Sequence, residues 1–177
     1  GIKLSEKLST IDSNTFGECT SLTEITIPDS VKTIDVNAFA GCTALAKVQI
    51  GNFDNWCNTT FDGVTSNPLY AGRAALYEND LLVSSISGAK KLPHYGFAGC
   101  SSITEVYTGS LDIGDYAFYE CKNLETVYMG RGVETISPFA FWQCDNLKDV
   151  YYAGTEKMWN NITFDSYNGC LLNATIH

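Results

Sequence analysis

The chain is 177 residues long and 45% of it is hydrophobic, enough apolar material for a buried core and too much for a disordered segment. Twenty acidic residues against eleven basic ones leave a formal charge of -9, which argues against nucleic acid or an anionic membrane face as partner, since both call for a basic footprint. No apolar run reaches the ~18–20 residues of a membrane-spanning helix, so no membrane insertion is expected of this stretch.

From the N-terminus, Ile2 and Leu4 take strand positions and Leu8 and Ile11 the apolar pair that follows, so the chain opens in mid-repeat. Gly1, in place of an initiator Met, reads as a cut from a longer array whose export signal lies elsewhere. The first full unit is Phe16-Gly-Glu-Cys19-Thr-Ser-Leu22, and it returns at Phe39 to Leu45, Phe97 to Ile103, Phe118 to Leu124 and Phe141 to Leu147. The Phe-to-Phe steps are 23, 58, 21 and 23 residues, and a period near 23 marks a solenoid.

Within a unit, Phe, Cys and Leu at i, i+3, i+6 align on one face of a 3-10-like turn or short helix. Next come Ile25 and Ile27, Val48 and Ile50, or Val127 and Met129, the i, i+2 pattern of a short strand with one buried face. A turn (Pro28-Asp29-Ser30, or Gly130-Arg131-Gly132) and a second apolar pair (Val31/Ile34, or Val133/Ile136) lead back to the next Phe. Asp12, Asp35 and Ser137, each four residues before a Phe, are placed to cap the helical piece, and Pro138 suits its first position.

The 58-residue step hides an insertion whose start recurs at the C-terminus: Gly51, Trp56 and Phe61 match Gly154, Trp159 and Phe164 in spacing. Downstream, Leu76 to Val83 reads as short strands joined by an Asn79-Asp80 turn, and Leu171 to Ile176 as a closing strand. Both segments read as variant coils, about 51–88 and 154–177, flanking repeats at about 1–50 and 89–153 within one domain of residues 1–177. A Trp-led coil at the end of an array is suited to cover the last repeat's open face.

Little raw material for catalysis is present. His94 and His177 are the only histidines and neither sits in a nucleophile motif, and no phosphate-cradling glycine loop or paired-carboxylate motif occurs, so no enzymatic activity and no cofactor are expected. Asp112 and Asp115 flank a turn and read as cap and solvated surface. Five cysteines, Cys19, Cys42, Cys100, Cys121 and Cys144, mark the repeat and read as a reduced, buried ladder, while their spacing lacks the clustering of a metal site. Cys57 and Cys170 fall outside that column and read as free thiols. The Asn-x-Thr triplets at Asn58, Asn161 and Asn173 are explained by turn chemistry, and carry sugar only in a eukaryotic host.

One exposed residue per coil lies between the two buried strand positions, and down the array it reads Thr26, Gln49, Tyr107, Tyr128, Tyr151. Stacked tyrosines stabilise neighbouring strands, and they also supply the rigid amphipathic area that binding surfaces use. Glu105, Asp149, Glu125 and Lys148 flank them as a mostly acidic rim that favours a partner of basic character.

The run from Leu22 to Cys42, Leu-Thr-x-Ile-x-Ile-Pro-x-Ser-Val followed by Ile34 and Ala38-Phe39, resembles the BspA-like leucine-rich repeat of the Treponema pallidum type, as do Gly154 to Phe164 and Asn67-Pro68-Leu69-Tyr70. The departures are a turn shortened by two residues at Thr108 to Ser110, and Ala89 in the Val/Ile column. The resemblance implies an α/β, right-handed leucine-rich-repeat solenoid, mostly short parallel strands with short helical or 3-10 turns. It also implies a secreted or surface-displayed bacterial adhesion module binding a protein ligand, such as a host extracellular protein. On that reading the ligand meets the sheet at Tyr107, Tyr128, Tyr151, Glu105 and Asp149. A spacer or stalk of a larger surface protein is the alternative.

Overall fold

Each i, i+2 apolar pair becomes a strand because the same pair in the next repeat offers matching backbone groups one strand spacing away. The computed structural model describes residues 2–109 and 111–177; Gly1, and Ser110 of the shortened turn, lie outside the described residues. The first half contains β1 (Ile2–Lys3), β2 (Thr10–Ile11), β3 (Glu24–Ile27), β4 (Thr33–Ile34), β5 (Lys47–Ile50), helix α1 (Phe53–Cys57) and β6 (Thr60–Phe61). The insertion continues with a 3-10 turn at Val64–Ser66, α2 (Pro68–Gly72), β7 (Ala75–Glu78), β8 (Leu81–Leu82) and β9 (Ser85–Ile86). The second half holds β10 (Glu105–Gly109), β11 (Thr126–Met129), β12 (Thr135–Ile136), β13 (Asp149–Tyr152), α3 (Glu156–Trp159), β14 (Thr163–Phe164), α4 (Gly169–Leu172) and β15 (Thr175–Ile176).

The strands form two five-stranded sheets, ordered β1-β3-β5-β7-β8 and β9-β10-β11-β13-β15, with smaller ladders β2-β4-β6 and β12-β14. Among the described residues every pairing is parallel except β7 with β8, an antiparallel hairpin. At the hairpin, Asn79 (φ 48°) and Asp80 (φ 65°) are both left-handed, as a tight two-residue turn demands. The chain is thus a stack of coils made of short parallel strands with few short helices, as its repeat pattern predicts.

Coils are coupled through the Phe–Cys segment. The Phe16, Phe97 and Phe118 amides donate to the Ala38, Ala117 and Ala140 carbonyls of the next coil at 2.8, 3.0 and 2.9 Å. In return the next coil's thiol donates to the phenylalanine carbonyl: Cys42 to Phe16, Cys121 to Phe97 and Cys144 to Phe118, at 3.0, 3.0 and 3.1 Å. Cysteine suits this column because it fills a small apolar space and its S–H still serves a carbonyl that burial would otherwise orphan. The rings stack as well, with centroids 5.0 Å apart for Phe16 and Phe39, 5.5 Å for Phe97 and Phe118, and 5.4 Å for Phe118 and Phe141. One connected core runs from Ile11 to Leu171 through these rings.

The insertion keeps the stack continuous by substitution. Phe53 of α1 stacks on Phe97 at 5.9 Å, and buried Trp56 donates through Nε1 to the Gly96 carbonyl at 3.1 Å. Buried Asn67 caps α2 by accepting from the Leu69 amide, and its Nδ2 donates to the Tyr95 carbonyl. Asn168 plays a similar part at the C-terminal end, accepting from the Phe141 amide at 3.0 Å and donating to Ser137 and Asp165 carbonyls. Arg73, just after α2, lies 4.4 Å over the Tyr70 ring and pairs with buried Glu120, which ties the insertion to the second half.

Two details differ from the sequence expectation, while the Phe–Cys segments keep the i+3 to i backbone bonds of 3-10-like turns, separated by left-handed residues two before and two after the Phe, as at Asn14 and Glu18 or Tyr116 and Glu120. Consequently the backbone carbonyls of Asp12, Asp35 and Ser137, not their side chains, accept the turn bonds. In the closing segment Leu171 and Leu172 belong to α4, and only Thr175–Ile176 is strand, since Asn168 starts a helical turn there.

Phe118, fully buried between Phe97 and Phe141, has no space to collapse into, so Phe118→Ala should cost ~3–5 kcal/mol and lower the melting temperature. An unchanged melting temperature would contradict the stacked register.

Candidate functional site: the outward sheet face

In β10, β11 and β13 the side chains alternate, so Val106, Val127 and Val150 point into the core while Tyr107, Tyr128 and Tyr151 face outward. Parallel register sets the three tyrosines side by side. Their rings stack almost parallel in sequence: Tyr107 on Tyr128 at 4.3 Å and 3°, Tyr128 on Tyr151 at 5.1 Å and 12°. Tyr107 remains 39% exposed and Tyr151 42%.

His177 extends the row, its ring 4.4 Å from that of Tyr151 at 13°. Its backbone continues the β13–β15 ladder, with the Tyr152 amide on the His177 carbonyl at 3.0 Å and the His177 amide on Val150 at 2.8 Å. Sequence reasoning missed it because β15 is two residues long and the histidine follows the last recognisable apolar position; its spacing after Ile176 was the available signal. In the first sheet the corresponding row is Thr26, Gln49 and, in β7, Tyr77. There Lys47 lies 4.8 Å over the Tyr77 ring and pairs with Asp80 at 3.1 Å, so a single aromatic takes the place of a ladder.

One position earlier on the same outward face, Glu105, Thr126, Asp149 and Thr175 are in register. The Tyr107 hydroxyl donates to Glu105 at 3.2 Å, and His177 Nε2 meets Asp149 Oδ1 at 2.8 Å. Lys148 lies 3.8 Å from Glu125, which offsets one of the flanking acidic charges and leaves Glu105 and Asp149 as the carboxylates beside the tyrosines. Past the tyrosines an open groove is lined by Gly109, Met129, Gly130, Tyr152 and Ala153. A bulge between Tyr107 and Gly109, with Gly109 left-handed at φ 58°, ends β10 and absorbs the shortened turn. Partial burial of its ring, the Tyr128 hydroxyl and the Glu105 carboxylate push the Tyr107 phenol up to about 12.

A second aromatic ladder lies on the turn side of the coils: Tyr95 on Tyr116 at 5.2 Å, Tyr116 on Phe139 at 4.7 Å and Phe139 on Tyr167 at 4.2 Å. All four residues are left-handed, with φ between 55° and 67°, a conformation that costs bulky side chains ~1 kcal/mol or more each. Stacking worth ~0.5–1.5 kcal/mol per pair offsets this. The signal was present in sequence, where the residue two before each column Phe changes from Asn14 and Asn37 to Tyr95, Tyr116 and Phe139.

Burial holds the inner cysteines in the poorly nucleophilic thiol form, while Cys19 and Cys170 are half-buried. All seven are free thiols, and burial raises Cys57, helped by Asp54 and Glu78, to about 12, and Cys121 and Cys144 likewise upward. Cys170, half-buried, adds a little to the upward shift of Cys144.

The family model for the BspA type leucine rich repeat region matches residues 1–68 and 74–176 in six copies. No curated protein matches the chain. Among solved structures it is similar to a leucine-rich cell surface protein of Faecalibacterium prausnitzii A2-165, with 27% identity, a TM-score of 0.49 and 81% of this chain covered. It is also similar to a leucine-rich repeat protein of Bacteroides ovatus ATCC 8483, with 20% identity, a TM-score of 0.42 and 92% of this chain covered. The match spans 35% of the first protein and 50% of the second.

Tyr119, which packs beside Tyr70 and Tyr116, is pushed up to about 12 by burial and the Glu120 carboxylate, and because Tyr107 and Tyr119 hold their protons more tightly than an unfolded tyrosine, the stability they add is present below pH ~10 and is lost as pH rises through their folded values. Phenolate absorbance at about pH 11 should therefore fall short of the full ten tyrosines, and Tyr107→Phe should remove one late-titrating phenol. An unchanged late amplitude in that variant would contradict the stacked geometry.

Proposed function

The chain belongs to the BspA-type leucine-rich-repeat family, and within it we propose that residues 1–177 form one non-enzymatic recognition domain, secreted or displayed at the cell surface, that binds a protein ligand through its outward sheet face. The observation that carries this reading is the row Tyr107, Tyr128, Tyr151 and His177, stacked at 4.3, 5.1 and 4.4 Å. Rings held by their neighbours lose little conformational entropy when a partner covers them, so contact area converts more fully into affinity. Glu105 and Asp149 beside the row favour basic groups on that partner. A spacer would need no such clustering, and the first sheet, with Thr26 and Gln49 at the same positions, shows what an unspecialised face of this fold looks like.

The test is capture of extracellular-matrix proteins by the wild type and by a Tyr107→Ser/Tyr128→Ser/Tyr151→Ser variant, with melting curves to confirm that the variant folds. Loss of a stacked hot-spot row should weaken capture at least ~10-fold. A Thr26→Ala/Gln49→Ala variant should capture as the wild type does. Equal capture by the tyrosine variant, or none by the wild type, would favour the spacer.

A further inference from the structure

The acidic pair beside the tyrosine row sits at a fixed backbone spacing, and that spacing favours one ligand conformation. The Cα positions of Glu105 and Asp149 are in register with Thr126 between them, two strand spacings or ~9.6 Å apart. Each uses one oxygen within the face, Glu105 toward the Tyr107 hydroxyl and Asp149 toward His177, and among the described residues the second oxygen of each has no side-chain partner. Alongside runs the phenol row, an aromatic wall that repeats every 4.3 to 5.1 Å, with the Tyr107 hydroxyl turned to Glu105.

A peptide lying across the strands must match this repeat. A β-strand brings side chains back to one face every ~6.6–6.8 Å, which fits neither one strand spacing nor two. An α-helix advances ~5.4 Å per turn and overshoots by ~1 Å across two strands. The polyproline-II helix rises 3.1 Å per residue with three residues per turn, so positions i and i+3 share a face at ~9.3 Å. Its backbone carbonyls are unpaired and accept from hydroxyls, and its pyrrolidine rings pack on aromatic walls with little entropy left to lose.

We propose that the occupant of this face is a polyproline-II segment carrying basic side chains at i and i+3, lying along the tyrosine row with those side chains on Glu105 and Asp149. This rests on the recognition reading of the same face and narrows it to one ligand class.

The experiment is fluorescence anisotropy with four labelled synthetic peptides of equal charge. One is proline-rich with arginines at i and i+3, one proline-rich with arginines at i and i+2, one glycine-substituted and flexible, and one helix-forming with the same arginine pair. The first should bind at least ~10-fold more tightly than the others, and its affinity should fall about five- to tenfold in a Glu105→Gln/Asp149→Asn variant, in line with two exposed charge pairs. Equal binding of the flexible or i, i+2 peptide, stronger binding of the helical one, or no binding of any would overturn the proposal. If matrix capture depends on the tyrosines while no proline-rich peptide binds, the ligand class is wrong and the recognition reading stands. If capture ignores the tyrosines, that reading itself fails.

Discussion

The interaction on which everything else depends is the reciprocal exchange between a column phenylalanine and the coil that follows it. The phenylalanine amide donates to an alanine carbonyl, its own carbonyl accepts a cysteine thiol, and its ring stacks on the next ring. Those contacts hold the turn side of adjacent coils in one register while the parallel ladders hold the strand side. A residue at a given place in the repeat therefore meets the residue at the same place one coil on. Stacked rows of like side chains, inside and outside, are the direct consequence.

That rule makes the surface a readout of the repeat. Where the outward position is Thr or Gln the face is plain, and where it is Tyr three times running the face is a ladder. The same logic builds the left-handed aromatic stack on the turn side, in which ring packing offsets a backbone conformation better suited to Asn14 and Asn37. The insertion does not break the rule. It replaces the missing members with Phe53, Trp56 and Asn67 and fastens itself by Arg73 on Glu120.

The repeat, the strand positions, the Asn79-Asp80 hairpin and the outward tyrosines were legible in sequence because each depends on a short period or a local turn preference. What escaped depended on contacts across coils. The thiol-to-carbonyl bonds explain why the column is Cys, and no single repeat shows them. Turns alternating with left-handed residues imitate a helical i, i+3, i+6 pattern, so side-chain caps were expected where backbone carbonyls do the work. His177 joins the tyrosines because β15 pairs with β13, a contact whose one local trace is the place of the histidine straight after Ile176.

The central claim is that the buried column holds the exposed tyrosine row in place before any ligand arrives. Aromatic NMR of the free protein tests this most directly. The account predicts strong upfield ring-current shifts for the Tyr128 and Tyr151 ring protons, which lie between stacked neighbours. It also predicts cross-coil NOEs from Tyr107 to Tyr128, Tyr128 to Tyr151 and Tyr151 to His177. Averaged, unshifted tyrosine resonances without those NOEs would contradict it.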